Sequence, residues 1–478
     1  MKKSLLLGAA LLSTVSAFAV VTDGDTYEPI NDIKCVNAWT LDRNHNSDDL
    51  TANPVGNNSN ARTCAVQNGV AYISSWAADD PEVTVPDGEG KPVIQNSATI
   101  YKFNVEDGSY IGALKLTIDG NRHCGTGVAN QVGFDSFGHL YVADMSMASA
   151  TEAHVYLVDE ETGALTHVEG TLSKGGVEVR FDYLDAIGDL TGKEADCTII
   201  APASNSNYVF GWTRSKGDTE WLGLFENSTT LAFTEFYPAS ATSWGIAPSV
   251  KILPGETGSE SEFWGELFYI DGFQSTPSLY NATGAIVESF GSAPDLAQKE
   301  VGANGVVEFS IDGRNFVAYP EGQGKYDWKV NICELGEGQT FEGMKLYWQI
   351  PASGWGTQSD GGQRYHGLHS EYVKDAEGNE YVNLFDFKCK TGIALYKIGK
   401  YAPEAGVAGA IADGAATIAV NGGVVTVSAE AEEINVYNVA GQVVATAKNA
   451  TEVAVPAQGA FIVKATVAGA PVVKKVVL

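Results

Sequence analysis

Arginine is scarce in this sequence, and four of its seven arginines recur at similar intervals along the chain. Those four are Arg62, Arg122, Arg180 and Arg364. Trp244 and Asn304 complete a series of six positions separated by 60, 58, 64, 60 and 60 residues. Equivalent positions in a ring of repeats would bring guanidinium groups together, and such groups bind carboxylate, sulfate or phosphate. The series therefore predicts a pocket for an anionic ligand.

Aromatic and imidazole side chains accompany these positions and add a second ligand class. They are Trp244, Trp355, Tyr365, His123 and His366. Planar rings stack on sugar rings, which makes a carbohydrate a candidate ligand. The predicted binding residues are Arg62, Arg122, Arg180, Trp244, Trp355, Arg364 and His366. The alternative is structural, because 59 acidic residues offer each arginine a partner on a neighbouring repeat.

Motifs for catalysis and metal binding are sparse. The sequence contains no nucleophile elbow, P-loop, HExxH zinc motif or GxGxxG fingerprint, so it identifies no catalytic residues. His366 and His369 stand at i and i+3, which on a strand places them on opposite faces and predicts no shared metal. Residues 42–48 alternate oxygen-bearing side chains as a calcium loop does, but Gly and Glu are missing at the sixth and twelfth places.

The elements that must position these residues are β-strands. Short apolar runs such as 70–73, 140–142 and 267–269 recur, and several lead into hairpins with Asp-Gly or Thr-Gly turns. Four strands in each unit, repeated about six times, are typical of a β-propeller. We therefore predict an all-β protein with a six-bladed β-propeller over residues 30–400, or seven blades if a loop hides a short one.

The ends of this region predict how the ring closes. The strand at 36–41 precedes the first unit, and the last unit lacks one strand. The N-terminal strand can complete that unit and remove an exposed edge. Such closure suggests that Cys35 lies near Cys389, and we predict a disulfide between them. The six cysteines also allow other pairings, or buried free thiols throughout.

A change in composition near residue 401 indicates a second domain. All nine tryptophans and all six cysteines precede it. Residues 401–414 are rich in small residues and predict a linker. Residues 415–478 hold about seven short β-branched runs, which predict a small immunoglobulin-like β-sandwich.

The N-terminus and the net charge predict export. Residues 1–19 read as a secretory signal peptide, with Lys2 and Lys3 before an apolar run and Ala17-Phe18-Ala19 at the cleavage site. No second long apolar run follows, which argues against membrane insertion. A net charge of −29 argues against nucleic acid and anionic membranes as partners. We expect a protein secreted across the inner membrane, extracellular or held at the outer-membrane surface.

The C-terminal segment resembles the type A-like sorting domain of type IX secretion cargo. The resemblance rests on three parts: Tyr437-Asn438-x-x-Gly441 after a strand, Gly459-x-Phe461-Ile462-Val463-Lys464, and a basic-apolar end from Lys474 to Leu478. Phe461 replaces the usual tyrosine. The resemblance covers about 75 residues. It implies type IX secretion machinery as a partner, removal of this domain, and surface attachment.

The larger region resembles the NHL, YncE and quinoprotein-type propellers in architecture only, through turns such as 159–163. Fold alone does not assign an activity. We expect a binding module for a glycan, an anionic small molecule or a surface protein. One alternative is a calcium-dependent hydrolase or lyase, with calcium as its cofactor, which needs several carboxylates at the propeller axis. The other alternative is a structural surface-layer or matrix protein.

Overall fold

A computed structural model describes most of the chain. The described residues are 27, 29–42, 55–56, 58, 60–86, 92–122, 128–225, 229–230, 243–255, 264–289, 305–320, 328–337, 340–351, 355, 365–375, 378–400, 418–421, 423–438, 443–455, 460–467 and 470–477. The predicted signal peptide and linker lie outside them, as do His123, Asn304, Arg364 and nearly all of the predicted calcium loop. The described residues contain no α-helix, and so they include no helix that could span a membrane.

Residue contacts divide the chain into two compact units, 1–400 and 401–478. The described part of the first unit contains six antiparallel sheets of four main strands each. We number the sheets 1 to 6 in chain order. The first described strand, β1 (Lys34–Asp42), belongs to the last of them, sheet 6. Sheet 1 consists of β2 (Ala61–Gln67), β3 (Val70–Pro86), β4 (Pro92–Asn104) and β5 (Tyr110–Lys115). A small hairpin follows, β6 (Thr117–Ile118) and β7 (Asn121–Arg122).

The next two sheets carry short additions. Sheet 2 consists of β8 (Gln131–Phe134), β9 (Leu140–Ala143), β11 (Val155–Val158) and β12 (Leu165–His167), with β10 (Glu152–Ala153) paired separately to β13 (Leu172–Ser173). Sheet 3 consists of β14 (Asp185–Gly188), β15 (Cys197–Pro202), β16 (Tyr208–Arg214) and β17 (Leu222–Gly223), with β18 (Thr229–Thr230) also paired to β16.

The remaining sheets of the first unit are plain four-stranded meanders. Sheet 4 consists of β19 (Ser249–Leu253), β20 (Leu267–Gly272), β21 (Ser275–Asn281) and β22 (Ile286–Ser289). Sheet 5 consists of β23 (Val307–Ile311), β24 (Arg314–Pro320), β25 (Val330–Glu334) and β26 (Lys345–Ile350). Sheet 6 consists of β27 (His366–Lys374), β28 (Glu380–Lys388), β29 (Gly392–Lys400) and β1.

Tight turns follow from the sequence at several hairpins. Asn68 and Gly69, between β2 and β3, have φ angles of 52° and 75°. Asp312 and Gly313, between β23 and β24, have 54° and 71°. Two consecutive positive φ angles define a type I′ turn, whose twist matches that of the flanking strands, and Asn-Gly and Asp-Gly are the pairs that tolerate it.

The cores lie between the sheets. Each of six buried apolar clusters combines residues from two consecutive sheets, and one of them joins sheet 6 to sheet 1. The sheets therefore pack face to face in a closed ring, a β-propeller-like arrangement. Such packing is possible because these strands are apolar on both faces, as in Phe385 towards sheet 1 and Leu384 towards sheet 5.

The N-terminal strand completes sheet 6, as the sequence predicted. β1 pairs antiparallel with β29, from Lys34 opposite Gly399 to Asp42 opposite Gly392. The predicted Cys35–Cys389 disulfide is wrong. Cys35 lies opposite Ile398 at one end of this pair, whereas Cys389 precedes β29 at the other end. Both are buried free thiols, like Cys64, Cys197 and Cys333.

The second unit has fewer and longer strands than predicted. They are β30 (Ile418–Asn421), β31 (Val424–Asn438), β32 (Val443–Ala454), β33 (Ala460–Val467) and β34 (Ala470–Val477). β31 and β32 each join two of the predicted short runs, because register shifts such as that between Thr426 and Ala431 let one strand pass through the break. β31 pairs with β30, β32 and β33 over one buried core that includes Val425, Ile434 and Val463.

Candidate functional site

A cavity of about 150 Å³ is lined by the first strand of all six sheets. One lining residue from each first strand is Thr63, Gln131, Asp185, Lys251, Val307 and His369. A concave site reached by many elements, with a few convergent polar groups, is the usual location of a small-molecule site. The cavity is therefore the first candidate ligand site of this protein.

The cavity holds groups of both charges. The Lys251 Nζ lies 3.3 Å from the Asp185 Oδ2, which also accepts a hydrogen bond of 2.8 Å from the Ile252 backbone N–H. Burial, followed by the charge of Lys251, lowers the pKa of His369 to about 3. His369 is thus neutral at physiological pH, and Lys251 is the cation that faces the cavity.

Two of the predicted arginines meet in a largely buried network, here called the arginine cluster. It consists of Arg62, Arg180, Asp182, Ser204 and Tyr365. The Arg180 Nε donates to the Asp182 Oδ2 at 3.1 Å, and the Tyr365 hydroxyl donates to the Asp182 Oδ1 at 2.9 Å. The Ser204 hydroxyl also donates to Asp182, and its oxygen accepts from the Ala247 N–H at 2.9 Å.

Arg62 contacts this network through the flat face of its guanidinium group. Its guanidinium carbon lies 4.2 Å from the centre of the Tyr365 ring and 5.2 Å from that of Trp76. The Tyr183 hydroxyl donates to the Arg62 carbonyl, and burial raises the pKa of Tyr365. Cation–π contacts engage Arg62, and an ion pair engages Arg180. Arg180 pairs with an acid two residues away, however, and not with one on a neighbouring repeat.

Two of the other predicted residues lie elsewhere. Arg122 lies in the β6–β7 hairpin, and Trp244 is buried between sheets 3 and 4. Arg364 is outside the described residues. The positions of the predicted series are also not structurally equivalent. Arg62 lies inside β2, whereas Arg180 and Trp244 each precede the first strand of their sheet. Sequence spacing alone had placed them in one ring.

The last two predicted residues, Trp355 and His366, belong to a second buried group between sheets 5 and 6. We call it the lysine cluster: Trp328, Trp355, His366, Asp386 and Lys388. The His366 Nε2 lies 2.5 Å from the Asp386 Oδ1, and the Trp355 Nε1 donates to the Asp386 Oδ2 at 2.8 Å. Lys388 stands opposite His366 in the β27–β28 register, and its Nζ lies 4.0 Å from the centre of the Trp328 ring.

Burial sets the protonation of this cluster. It lowers the pKa of His366 and lowers that of Lys388 to about 7. Because the Asp386 carboxylate can only accept, the His366 proton lies on Nε2 and the Nδ1 carries a lone pair. Three buried nitrogens of the cluster have no hydrogen-bond partner: Trp328 Nε1, His366 Nδ1 and Lys388 Nζ. Buried polar atoms without partners are uncommon and call for an explanation.

Sequence reasoning missed Asp182, Trp328, Asp386 and Lys388. For the last two a signal exists in the run Leu384-Phe385-Asp386-Phe387-Lys388. A strand that is apolar on both faces is buried on both, so charged residues at alternate places on one face are exceptional. No comparable signal marks Trp328, whose φ of 59° is unusual for a bulky residue.

Among the described residues, one group has the composition of a cation site: Asp135, His139 and Asp189. Its oxygens are already in use. Asp189 accepts from the backbone of Thr191, Lys193 and Glu194, and the His139 Nδ1 lies 2.8 Å from the Asp135 Oδ2. The group therefore fits turn stabilisation better than a metal. Asp185 is the only carboxylate among the described residues that line the cavity, which gives little support to an axial calcium.

Cys64 is the cysteine that lines the cavity, and its thiol is a candidate nucleophile. It lies beside Gly367, the neighbour of His366. Burial raises its pKa well above the usual value. A thiol of this kind is not ionised at neutral pH and is a poor nucleophile. Cys64 therefore gives the His366–Asp386 pair no activated nucleophile.

Comparison with known proteins gives structural likeness only. No protein-family model matches the chain, and no significant match is found among curated proteins. A DUF4623 family protein from Bacteroides eggerthii is 13% identical, with 72% of this chain and 71% of that chain covered at a TM-score of 0.47. The Dos1 propeller is 10% identical, with 71% and 92% covered at 0.35. An endo-arabinase from Bacteroides thetaiotaomicron is 10% identical, with 73% and 97% covered at 0.33.

Proposed function

We propose that this protein is an exported binding module, a six-bladed β-propeller that takes a carbohydrate or a small anionic molecule. The observation that carries the proposal is the cavity shared by the first strands of all six sheets. It places Lys251, Asp185 and His369 around one space of about 150 Å³. Such a volume suits a small ligand or one group of a larger ligand, such as a terminal sugar substituent.

The proposal extends to the rest of the chain. Residues 1–19 act as the signal peptide, residues 401–414 as the linker, and residues 415–478 as an immunoglobulin-like sorting domain for type IX secretion. The protein then acts at the outer-membrane surface or outside the cell. A surface protein partner, in place of a small ligand, is the other form of the binding role.

The test is a glycan array and a thermal-shift screen on the full chain. The Lys251→Ala variant removes the cation that faces the cavity, and Lys345→Ala removes an exposed lysine of β26 as a matched control. We expect wild type and Lys345→Ala to bind the same glycans, with binding weakened at least about tenfold in Lys251→Ala. Absence of any binding by the wild type, or full binding by Lys251→Ala, would contradict the proposal.

A further inference from the structure

In the lysine cluster the carboxylate is fully engaged, yet two buried donors, the Trp328 Nε1 and the Lys388 Nζ, have no hydrogen-bond acceptor. The Asp386 carboxylate is fixed on both oxygens by His366 and Trp355. Lys388 is 1% exposed, its Nζ makes no hydrogen bond, and its described neighbours include the face of Trp328, Cys389 and Asp386. An ammonium group removed from water without a hydrogen-bond acceptor is costly, so the fold maintains this arrangement against a penalty.

We propose that the lysine cluster is the binding site for a carboxylate group of the ligand, with Lys388 and Trp328 as its hydrogen-bond donors. This inference rests on the proposed binding function and names its ligand class. His366 connects the cluster to the axial cavity, because it lines that cavity and bonds to Asp386. A ligand in the cavity is therefore adjacent to His366, the one member of the cluster that lines it.

The chemistry of the three free nitrogens favours a carboxylate over other groups. Lysine Nζ and tryptophan Nε1 only donate, so they require an acceptor. A negatively charged acceptor also relieves the buried ammonium. The His366 Nδ1 accepts a proton as the anion arrives, because Asp386 on the other side of the ring stabilises the imidazolium. One lysine without arginine matches the single charge of a carboxylate better than the higher charge of a phosphate.

Binding is then coupled to protonation. The titratable groups around Lys388 are Asp386 on β28, Cys389 directly after β28, and His366 on β27. The tryptophans of the cluster pack from the side of sheet 5. A bound carboxylate favours the charged forms of Lys388 and His366, so affinity decreases as pH rises. The expected loss between about pH 6 and about pH 8 is about tenfold or more.

The experiment compares three probes on the full chain: acetate, D-glucuronate and D-glucose. Glucuronate and glucose differ in the carboxylate. The variants are Lys388→Met, which keeps the length of the side chain, and Lys388→Arg, which keeps the charge. Lys374→Met, on an exposed lysine of the neighbouring strand, is the matched control. Calorimetric titration and thermal shift give the affinities.

We expect glucuronate and acetate, but not glucose, to bind wild type and Lys374→Met. Lys388→Met should lose at least about tenfold in affinity, and Lys388→Arg should retain part of it. Carboxylate binding that is equal in wild type and Lys388→Met, or no carboxylate binding to folded wild type, overturns the inference. Glucose binding as tight as glucuronate binding also overturns it but leaves the proposed function standing. If the wild type binds none of the probes and no glycan on the array, both the inference and the proposed function are contradicted.

Discussion

The arginine and lysine clusters are both largely buried and both contain a cation, a carboxylate and aromatic rings, but they differ in whether a cation bonds directly to the carboxylate. In the arginine cluster, Asp182 accepts from Arg180, Ser204 and Tyr365. In the lysine cluster, the donors of Asp386 are His366 and Trp355, and the amine of Lys388 has no acceptor. Asp182 thus accepts directly from a cation of its own cluster, whereas Asp386 does not. Under the inference proposed above, the ligand supplies the acceptor that Lys388 lacks.

The comparison also separates the two cations by chemistry. The flat guanidinium of Arg62 stacks against two rings. The amine of Lys388 loses part of its charge in a similar environment, because burial lowers its pKa to about 7. Lysine is therefore the residue whose state a ligand or a change in pH can alter.

The largest expected effect comes from removing the central charge of the arginine cluster. Asp182→Asn leaves Arg180, whose side chain is 30% exposed, beside a neutral amide and weakens the hydrogen bonds from Ser204 and Tyr365, so it should lower the free energy of unfolding by about 3 kcal/mol. Chemical denaturation measures the change. Asp218→Asn, at an exposed position after β16, is the control and should change stability by less than about 0.5 kcal/mol. A loss below about 1 kcal/mol in Asp182→Asn would show that the network contributes little to the fold.

An intermediate effect is expected from pH acting on the lysine cluster. The pKa of Lys388 is lowered in the folded state, so the unfolded chain binds more protons between about pH 7 and about pH 10. The contribution of Lys388 to stability therefore rises with pH in this window, by about 2 kcal/mol between pH ~7 and pH ~9. Denaturation of wild type and Lys388→Met at both pH values isolates this contribution. If the stability of wild type and of Lys388→Met changed with pH in parallel, the lowered pKa of Lys388 would be contradicted.

The smallest effect is expected from Arg62. Arg62→Lys keeps the charge but removes the flat group that stacks on Tyr365 and Trp76, and should cost about 1 kcal/mol. Denaturation at neutral pH measures it, and Lys388→Arg provides the reciprocal exchange. If Arg62→Lys proved as harmful as Asp182→Asn, shape would matter as much as charge in this cluster.

Much of the fold could be predicted because strand patterns and turns are local signals. The N-terminal strand was predicted to complete the last sheet, and β1 pairs with β29. Asp312-Gly313 and Asn68-Gly69 determine their hairpins through backbone conformation alone. The long strands β31 and β32 were split in the prediction because a register shift leaves the same polar interruption in the sequence as a turn does.

The candidate site was harder to predict, since its members approach only when sheets pack. Arg62 and Arg180 were predicted to share a site, and they do meet, through Asp182 and Tyr365. Trp355 and His366 were predicted as members of the same pocket and instead join Asp386 and Lys388 between sheets 5 and 6. The period of about 60 residues gives the order of the repeats but not the offset of a residue within its strand.

The sequence by itself determined the all-β class, the order of the strands and the residues at the tight turns, because these depend on neighbours in the chain. Only the tertiary structure decided which charges are paired. Asp182 and Tyr365 are 183 residues apart, and their hydrogen bond exists only because the ring of sheets closes. The isolation of the Lys388 amine was likewise decided by packing, since burial and the absence of an acceptor are properties of the assembled interface.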